Sequence, residues 1–352
     1  MFDELQFATS LGSDNHTGIH PRVMEALMAA NRGHAHAYGM DELCQLTHKE
    51  FARLFGSGVE AHYVFTGTAA NVLCLSPLLK SFEAVICSNL SHLHVDECGA
   101  PEKFWGAKLL PLNTTDGKIR PQQCAEVLSR GGDQHFSQPR AVSLTQPTEL
   151  GVCYTLDELH EWREFTLAKN LMLHIDGARL VNAAAFMDVS LKSLTADIGV
   201  DVVSFGGTKN GLMGAEACLL FSDQAKADFK FYRKQAMQLS SKTRFLAAQF
   251  HAFLKDDLWR EIAQHSTAQA RKLAAALKEF PEIQLAHPVQ SNALFVHLPK
   301  PWIKPLRKKF FFYVWPASHN LCRWMTGFDW TDEKTSEMIN TLREVKKCFP
   351  AE

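Results

Sequence analysis

Between residues 62 and 222, short apolar runs alternate with longer segments in which apolar residues recur every three or four positions. The runs are HYVF, AVICS, KLLPL, AVSLT, LMLHID, VDVVSF and ACLLF. Because they are nearly unbroken Val, Ile and Leu rather than alternating with polar residues, they predict strands buried on both faces, with the helical segments as the covering layers. The expected large domain is therefore α/β, built on a mostly parallel sheet, and such a sheet binds its ligand at the carboxyl ends of its strands.

The flanks carry helical periodicity. Residues 21 to 31, PRVMEALMAAN, put proline at a first helical position and space Val23, Leu27 and Met28 helically. Residues 40 to 55 set Leu43, Leu46, Phe51, Leu54 and Phe55 near one face and stop at Gly56. A long helical pattern over 256 to 280 ends at Pro281 and predicts a boundary, with a large domain over 1–254, N-terminal segment included, and a smaller one over 255–352. In the latter, IQLAHP, NALFVHL, a basic short helix near 303 to 309, FFFYVW, NLCRWMT and a last helix opened by Thr331 predict a small α+β unit.

Composition narrows the partners. The chain has 352 residues, of which 46% are hydrophobic and 21% charged, so a compact soluble globule is expected. A net charge of -1 and a pI of about 7.0 supply no basic field for nucleic acid or an anionic membrane, so a small molecule is the expected partner. Nine cysteines without a CxxC pair predict free thiols in a reducing compartment, the cytoplasm. MFDELQF lacks the basic and apolar regions of a leader, and no apolar run approaches the roughly 20 residues that span a bilayer, so neither export nor insertion is expected.

Lys209 follows the VDVVSF run through GGT. Most lysines there would be solvated loop residues, but at a strand end in an α/β sheet, desolvation lowers the amine's pKa and frees it to attack a carbonyl. The two glycines are read as allowing something large to approach the backbone. Asp176 ends LMLHID; it is either a cap on the next helix or a buried carboxylate requiring a cation such as a protonated pyridine nitrogen. An amine and a carboxylate at such strand ends are the pair that pyridoxal phosphate (PLP) uses. In VFTGTAANVLCL, the amides near Gly67, Thr68 and Ala69 would face an anion where a strand turns into a helix. His92 and His94, on a strand-like stretch before Asp96 and Glu97, suggest a metal site, yet neither they nor the HxH at 34 to 36 has an evident remote ligand. A flat imidazole over a cofactor ring is the better reading of His92, and no metal is expected.

Taken in order and spacing, SDNHTGIHP, AYGMDEL, FTGTAAN, SHLHVDECGAPE, HIDGARLVNA and SFGGTKNG resemble the L-threonine aldolase family of fold-type I PLP enzymes. The wording DECGAPE, SLTQPTELGVCYTLDEL and GGTKNG is most similar to its phenylserine aldolase branch. The resemblance implies an aspartate-aminotransferase-like fold. It also implies that Lys209 is the Schiff-base lysine, Asp176 the pyridinium partner, and His92 the stacked histidine and a candidate base. By the same resemblance, Ser13, Arg179 and Arg323 would contact the substrate carboxylate and Gly67 and Thr68 the phosphate. Lys234 and Arg244 would reach the phosphate from a neighbouring subunit of a homodimer or homotetramer.

The chain departs from the family at QPTELG, where Thr148 and Glu149 stand in place of a histidine-bearing segment. The activity implied is retro-aldol cleavage of a β-hydroxy-α-amino acid to glycine and an aldehyde, with two arginines orienting the carboxylate and His92, through a water, or Glu149 taking the hydroxyl proton. The competing expectations are a PLP-dependent β-eliminating lyase, a metal-dependent hydrolase built on His92, His94 and Asp96, and a non-catalytic interaction protein.

Overall fold

The computed structural model describes residues 9–315 and 320–350; MFDELQF lies outside them. Each of the seven apolar runs forms a strand: Glu60–Val64 (β1), Glu83–Ser88 (β2), Lys108–Leu112 (β3), Gln138–Thr145 (β4), Met172–Gly177 (β5), Val202–Gly206 (β6) and Glu216–Leu220 (β7). All seven join one sheet in the order β1-β7-β6-β5-β4-β2-β3. Strands β3, β2, β4, β5 and β6 are mutually parallel. Only β7 opposes its neighbours, β6 and β1.

The unbroken apolar runs have the predicted cause, since β6 and β7 are buried at every position. Successive side chains point to opposite faces. Leu144, Ile175, Val203 and Phe205 accordingly enter one hydrophobic cluster, while Val85, Cys87, Val202 and Leu220 enter the other. Each large side chain removed from water contributes about 1.5–3 kcal/mol, so the sheet is held by both layers. The helices Pro21–Ala30 and Glu42–Phe55 form as expected, the second capped by the Asp41 carboxylate accepting the Cys44 amide at 2.9 Å. Because β4 lies beside β2 while β3 lies outside it, the direction of winding reverses between β2 and β4. The segments leaving β2, β4, β5 and β6 therefore meet at one edge, where an open α/β sheet binds ligands.

The C-terminal part forms a second sheet from Gln284–Leu285 (β8), Ala293–His297 (β9), Tyr313–Trp315 (β10) and Leu321–Met325 (β11), antiparallel in the order β10-β11-β9-β8. It shares a hydrophobic cluster with the helices Leu258–Ala276 and Asp332–Cys348. Thr331 caps the latter by accepting the Lys334 amide. The FFFYVW run is divided: Tyr313–Trp315 pairs with β11, whereas Phe310–Phe311 pairs in parallel with Thr9–Ser10. That pairing draws Leu11 into the C-terminal cluster and delivers Ser13 and Asp14 to the mouth of the large sheet.

Candidate active site

Strand β6 ends at Gly206, and the single turn Thr208–Asn210 that follows presents Lys209. The glycines have a different cause from the one read in the sequence. A Cβ on Gly206 would overlap the Ala178 backbone, and one on Gly207 the Ala215 carbonyl, so the chain's own backbone occupies the space. The buried Glu216 carboxylate accepts the Gly207 amide at 2.8 Å and pins this turn. Burial, reinforced by the nearby Arg179 charge, holds the Lys209 amine below its ordinary pKa, which raises its free-base fraction and its nucleophilicity.

One strand over, Asp176 is the register partner of Ser204 on β6 and of Thr145 on β4, and is 4% exposed. Its Oδ1 accepts the Ala178 amide and its Oδ2 the Asn71 side-chain amide, both at 3.0 Å. The same Asn71 nitrogen donates to Glu97 Oε1 at 3.1 Å, and that oxygen lies 2.7 Å from His92 Nδ1. The chain His92, Glu97, Asn71, Asp176 thus connects two sides of the cavity. The Glu97 side chain is wholly buried, so its hydrogen bond and charge raise the His92 pKa above the ordinary imidazole value, against the effect of burial. His92 opens a four-residue helix, His92–Val95, rather than the strand expected; Leu93 is buried and His94 is exposed. Among the described residues, no three His, Cys, Asp or Glu side chains are grouped to hold a metal ion.

The helix Gly67–Leu75 follows β1 and aims its N-terminus at the cavity. Thr66 caps it, its hydroxyl accepting the Ala69 amide at 3.1 Å. Of the three expected anion donors, Ala69 is therefore already committed, whereas Gly67 and Thr68 line the cavity and a Cβ on Gly67 would meet open space.

At the other end, Arg179 clasps Asp14 in a fork, Nε to Oδ2 at 2.7 Å and Nη2 to Oδ1 at 2.8 Å. Asn292 also donates to Asp14 at 3.2 Å. Although burial works the other way, Arg179 keeps the Asp14 carboxyl below the usual carboxylate range. Ser13 accepts the Asn15 amide beside this pair. Arg323, on β11, donates from Nη2 to the Gly12 carbonyl at 3.0 Å and lies 5.5 and 5.4 Å from the Tyr313 and Trp315 ring centres. Its Nε is buried without a partner, and burial together with Arg179 lowers its pKa. A small recess beside the cavity, sharing Pro147, Glu149 and Arg179 with it, is lined by both Arg179 and Arg323. Lys234 and Arg244 do not line the cavity of their own chain: Lys234 lies over the Tyr38 ring, and Arg244 donates to the Arg32 and Gly33 carbonyls.

The segment that departs from the family divides its two residues. Thr148 turns away and donates to the Asp116 carbonyl at 2.9 Å. Glu149 lines the cavity: its Oε1 accepts the His92 amide at 2.9 Å and the Thr145 hydroxyl at 2.8 Å, while its Oε2 is buried with no partner. Burial, then the charge of Asp176, pushes this carboxyl up to about 7. The cavity that joins Gly67, His92, Glu149, Asp176, Arg179 and Lys209 measures about 310 Å³, at the small end of ligand sites. Asp14, Asn71, Glu97 and Asn292 are the residues that spacing did not single out as partners. The SDNHTG and HVDECG motifs already contained two of them.

These residues fit PLP. Asp176 is buried among amide donors with the cavity before it, two backbone amides crown the opposite end, and an amine of lowered pKa stands between them. The fold and this constellation define a class. A family model described as beta-eliminating lyase matches residues 10–300, and the chain belongs to that family. Within it the chain is similar to the low specificity L-threonine aldolase of Pseudomonas aeruginosa, 41% identical over 95% of this chain and 96% of the relative. The enzyme of that name from another Pseudomonas is 39% identical over 95% of this chain and 96% of its own length. A solved threonine aldolase from Leishmania major superposes with a TM-score of 0.91 at 29% identity, covering 96% of this chain and 99% of that one. The fold is that of the fold-type I PLP enzymes, and the chain is a carbon-carbon lyase of the threonine aldolase type.

Proposed function

We propose that this chain cleaves L-β-hydroxy-α-amino acids, threonine, allo-threonine and phenylserine among them, to glycine and the matching aldehyde, with PLP as cofactor. The observation that carries the reading is the pairing of Lys209 with Asp176 at the ends of adjacent strands on one cavity wall. PLP would be held by Lys209, by Asp176 at the ring nitrogen, by the His92 ring against its face, and by the Gly67 and Thr68 amides at its phosphate. When bound, it supplies a sink for the electron pair left at Cα.

The chain's own residues do the rest. Arg179 has Nη1 without a partner among the described residues, and Arg323 has its buried Nε. Both face one recess, a geometry that suits a carboxylate and turns the Cα–Cβ bond toward cleavage. Ser13 lies beside them as a further contact. The β-hydroxyl proton must be taken as the aldehyde leaves, and His92 and Glu149 are the bases on the cavity wall.

Lys234 and Arg244 would act from a second copy, which makes a homodimer or homotetramer the working assembly. We set the division between the large and small domains near residue 254, with the helix Leu258–Ala276 spanning both: Leu258, Trp259, Ile262 and Ala263 pack in the large-sheet cluster and Ala270 and Leu273 in the small one. Among the described residues no helix is long and apolar enough to cross a membrane; we place the enzyme in the cytoplasm on the strength of its unpaired cysteines.

The test is product analysis of the PLP-loaded protein given L-threonine, L-allo-threonine and β-phenylserine in parallel. Glycine with acetaldehyde or benzaldehyde is expected, and Lys209→Ala should abolish both turnover and the cofactor's protein-linked absorbance. Oxo acid with ammonia as the products, or an active Lys209→Ala, would overturn the proposal.

A further inference from the structure

We propose that Glu149, and not His92, is the catalytic residue that takes the proton from the substrate's β-hydroxyl. The inference rests on the aldolase reading above and assigns a role within the same site.

The geometry of the carboxyl carries it. Two donors, the His92 amide and the Thr145 hydroxyl, hold Oε1 and so fix the plane of the group. Oε2 is left buried and without a partner, in a residue that lines both the main cavity and the recess of the two arginines. A buried carboxylate oxygen with no partner is costly, and a substrate hydroxyl arriving there removes that cost. A substrate whose carboxylate lies between Arg179 and Arg323 brings its β-carbon past this wall. His92 is placed for a different task, because its Nδ1 is tied to the buried Glu97 carboxylate, which stabilises the charged imidazolium and so leaves less of the ring neutral and free to accept a proton near pH 7.

The groups around Glu149 are Asp176 on β5, Arg179 just after it, the His92 amide, the Thr145 hydroxyl, Cys87 on β2, Tyr154, and Arg323, which lines the same recess. Burial and then Asp176 raise its pKa, the hydrogen bonds from Thr145 and the His92 amide oppose them, and the balance places the carboxyl about 7, within reach of the working pH of a general base.

The step balances. The O–H bond breaks, its proton passes to Oε2, and its electron pair becomes the second bond of the aldehyde carbonyl. The Cα–Cβ pair stays on Cα, toward the electron sink that PLP would supply if held by Lys209 and Asp176. Cα then takes a proton from solvent to give glycine, and Glu149 releases its own.

The experiment compares wild type with Glu149→Gln, a substitution of the same size that keeps an acceptor for the two donors. For wild type kcat/KM should fall as pH drops through about 7, because the base must be ionised. In Glu149→Gln, kcat/KM for L-threonine and β-phenylserine should fall about 10²-fold or more and the acid limb should vanish. Deuterium exchange at the α-carbon of glycine, followed by NMR, involves no β-hydroxyl and should change less than about threefold. Equal losses in cleavage and exchange, or a persistent acid limb, would overturn the proposal.

A readout independent of turnover is the infrared difference spectrum between cofactor-free wild type and Glu149→Gln. A protonated-carboxyl stretch should appear as pH falls through 7; its absence would overturn the proposal too. If Glu149→Gln does not fold, Thr145→Val replaces it: loss of one donor to Oε1 should move the acid limb to higher pH, and an unmoved limb counts against Glu149. Failure of wild type to release an aldehyde from any of the three substrates overturns the aldolase reading itself, and the present assignment with it.

Discussion

Replacing Asp14 by asparagine removes one charge from a pair that the structure encloses almost completely. The Asp14 side chain is 1% exposed and that of Arg179 is 19% exposed. Two unit charges about 4 Å apart attract by roughly 4 kcal/mol at an effective dielectric constant near 20. Removing one partner of a buried pair costs about 3–5 kcal/mol, because the remaining charge is stranded. Asparagine retains one acceptor for the guanidinium and sets an N–H group against the other donor, so the loss should be about 3–4 kcal/mol.

The pH dependence has a definite sign. The folded-state pKa of Asp14 is depressed by Arg179 in spite of burial. Its stabilisation is therefore present above the unfolded value of about 4 and is lost as pH falls through the lower folded value. Equilibrium denaturation of the cofactor-free protein should show the full gap between wild type and Asp14→Asn at pH 7, and a narrower one when both are measured below pH 4. KM for L-threonine should rise about tenfold as Arg179 loses its aim. A stability difference under about 1 kcal/mol at pH 7, or one that does not narrow in acid, would refute the reasoning.

Glu97→Gln removes the charge that holds His92 above its ordinary pKa. In NMR titrations the His92 resonance should move to lower pH, and the wild-type stability advantage should be larger at pH 5.5 than at pH 8.5, because a raised folded pKa stabilises below the unfolded value and is lost above the folded one. An unshifted resonance would contradict the pairing. Arg323→Ala should raise KM and lower kcat together, since it loses both binding and orientation; unchanged kinetics would remove that arginine from the site. Gly206→Ala sets a methyl against the Ala178 backbone, so a loss of several kcal/mol is expected, and a denaturation midpoint equal to wild type would show that the turn has room.

What was legible in the sequence was what backbone periodicity encodes. VDVVSF and ACLLF announced strands because they are covered on both faces, and the helix ends at Thr331 and Gly56 were readable because capping chemistry is local. The division of FFFYVW was not legible. Nothing within those six residues shows that Phe310 and Phe311 pair with Thr9 and Ser10, some 300 positions away. Likewise, the short helix at His92 was not legible, because two histidines at alternate positions read equally well as a strand.

The candidate site divides along the same line. Lys209 and Asp176 stood out because a strand end is a position the pattern marks, and adjacent parallel strands bring such ends together. The residues that set their chemistry come from elsewhere: Asn71 bridges Asp176 and Glu97 across sequence separations of 105 and 26, and Asp14 meets Arg179 across 165. No spacing rule links such positions, since Asn71 reaches its partners from the helix Gly67–Leu75 laid against the sheet and Asp14 reaches Arg179 from the N-terminal segment. The change from a histidine to Thr148 and Glu149 was visible, but its consequence was not, because only the fold turns Thr148 toward Asp116 and Glu149 toward the cavity. A motif can therefore identify the amine and carboxylate that a cofactor needs, whereas the protonation of the groups around it is set by long-range burial and pairing.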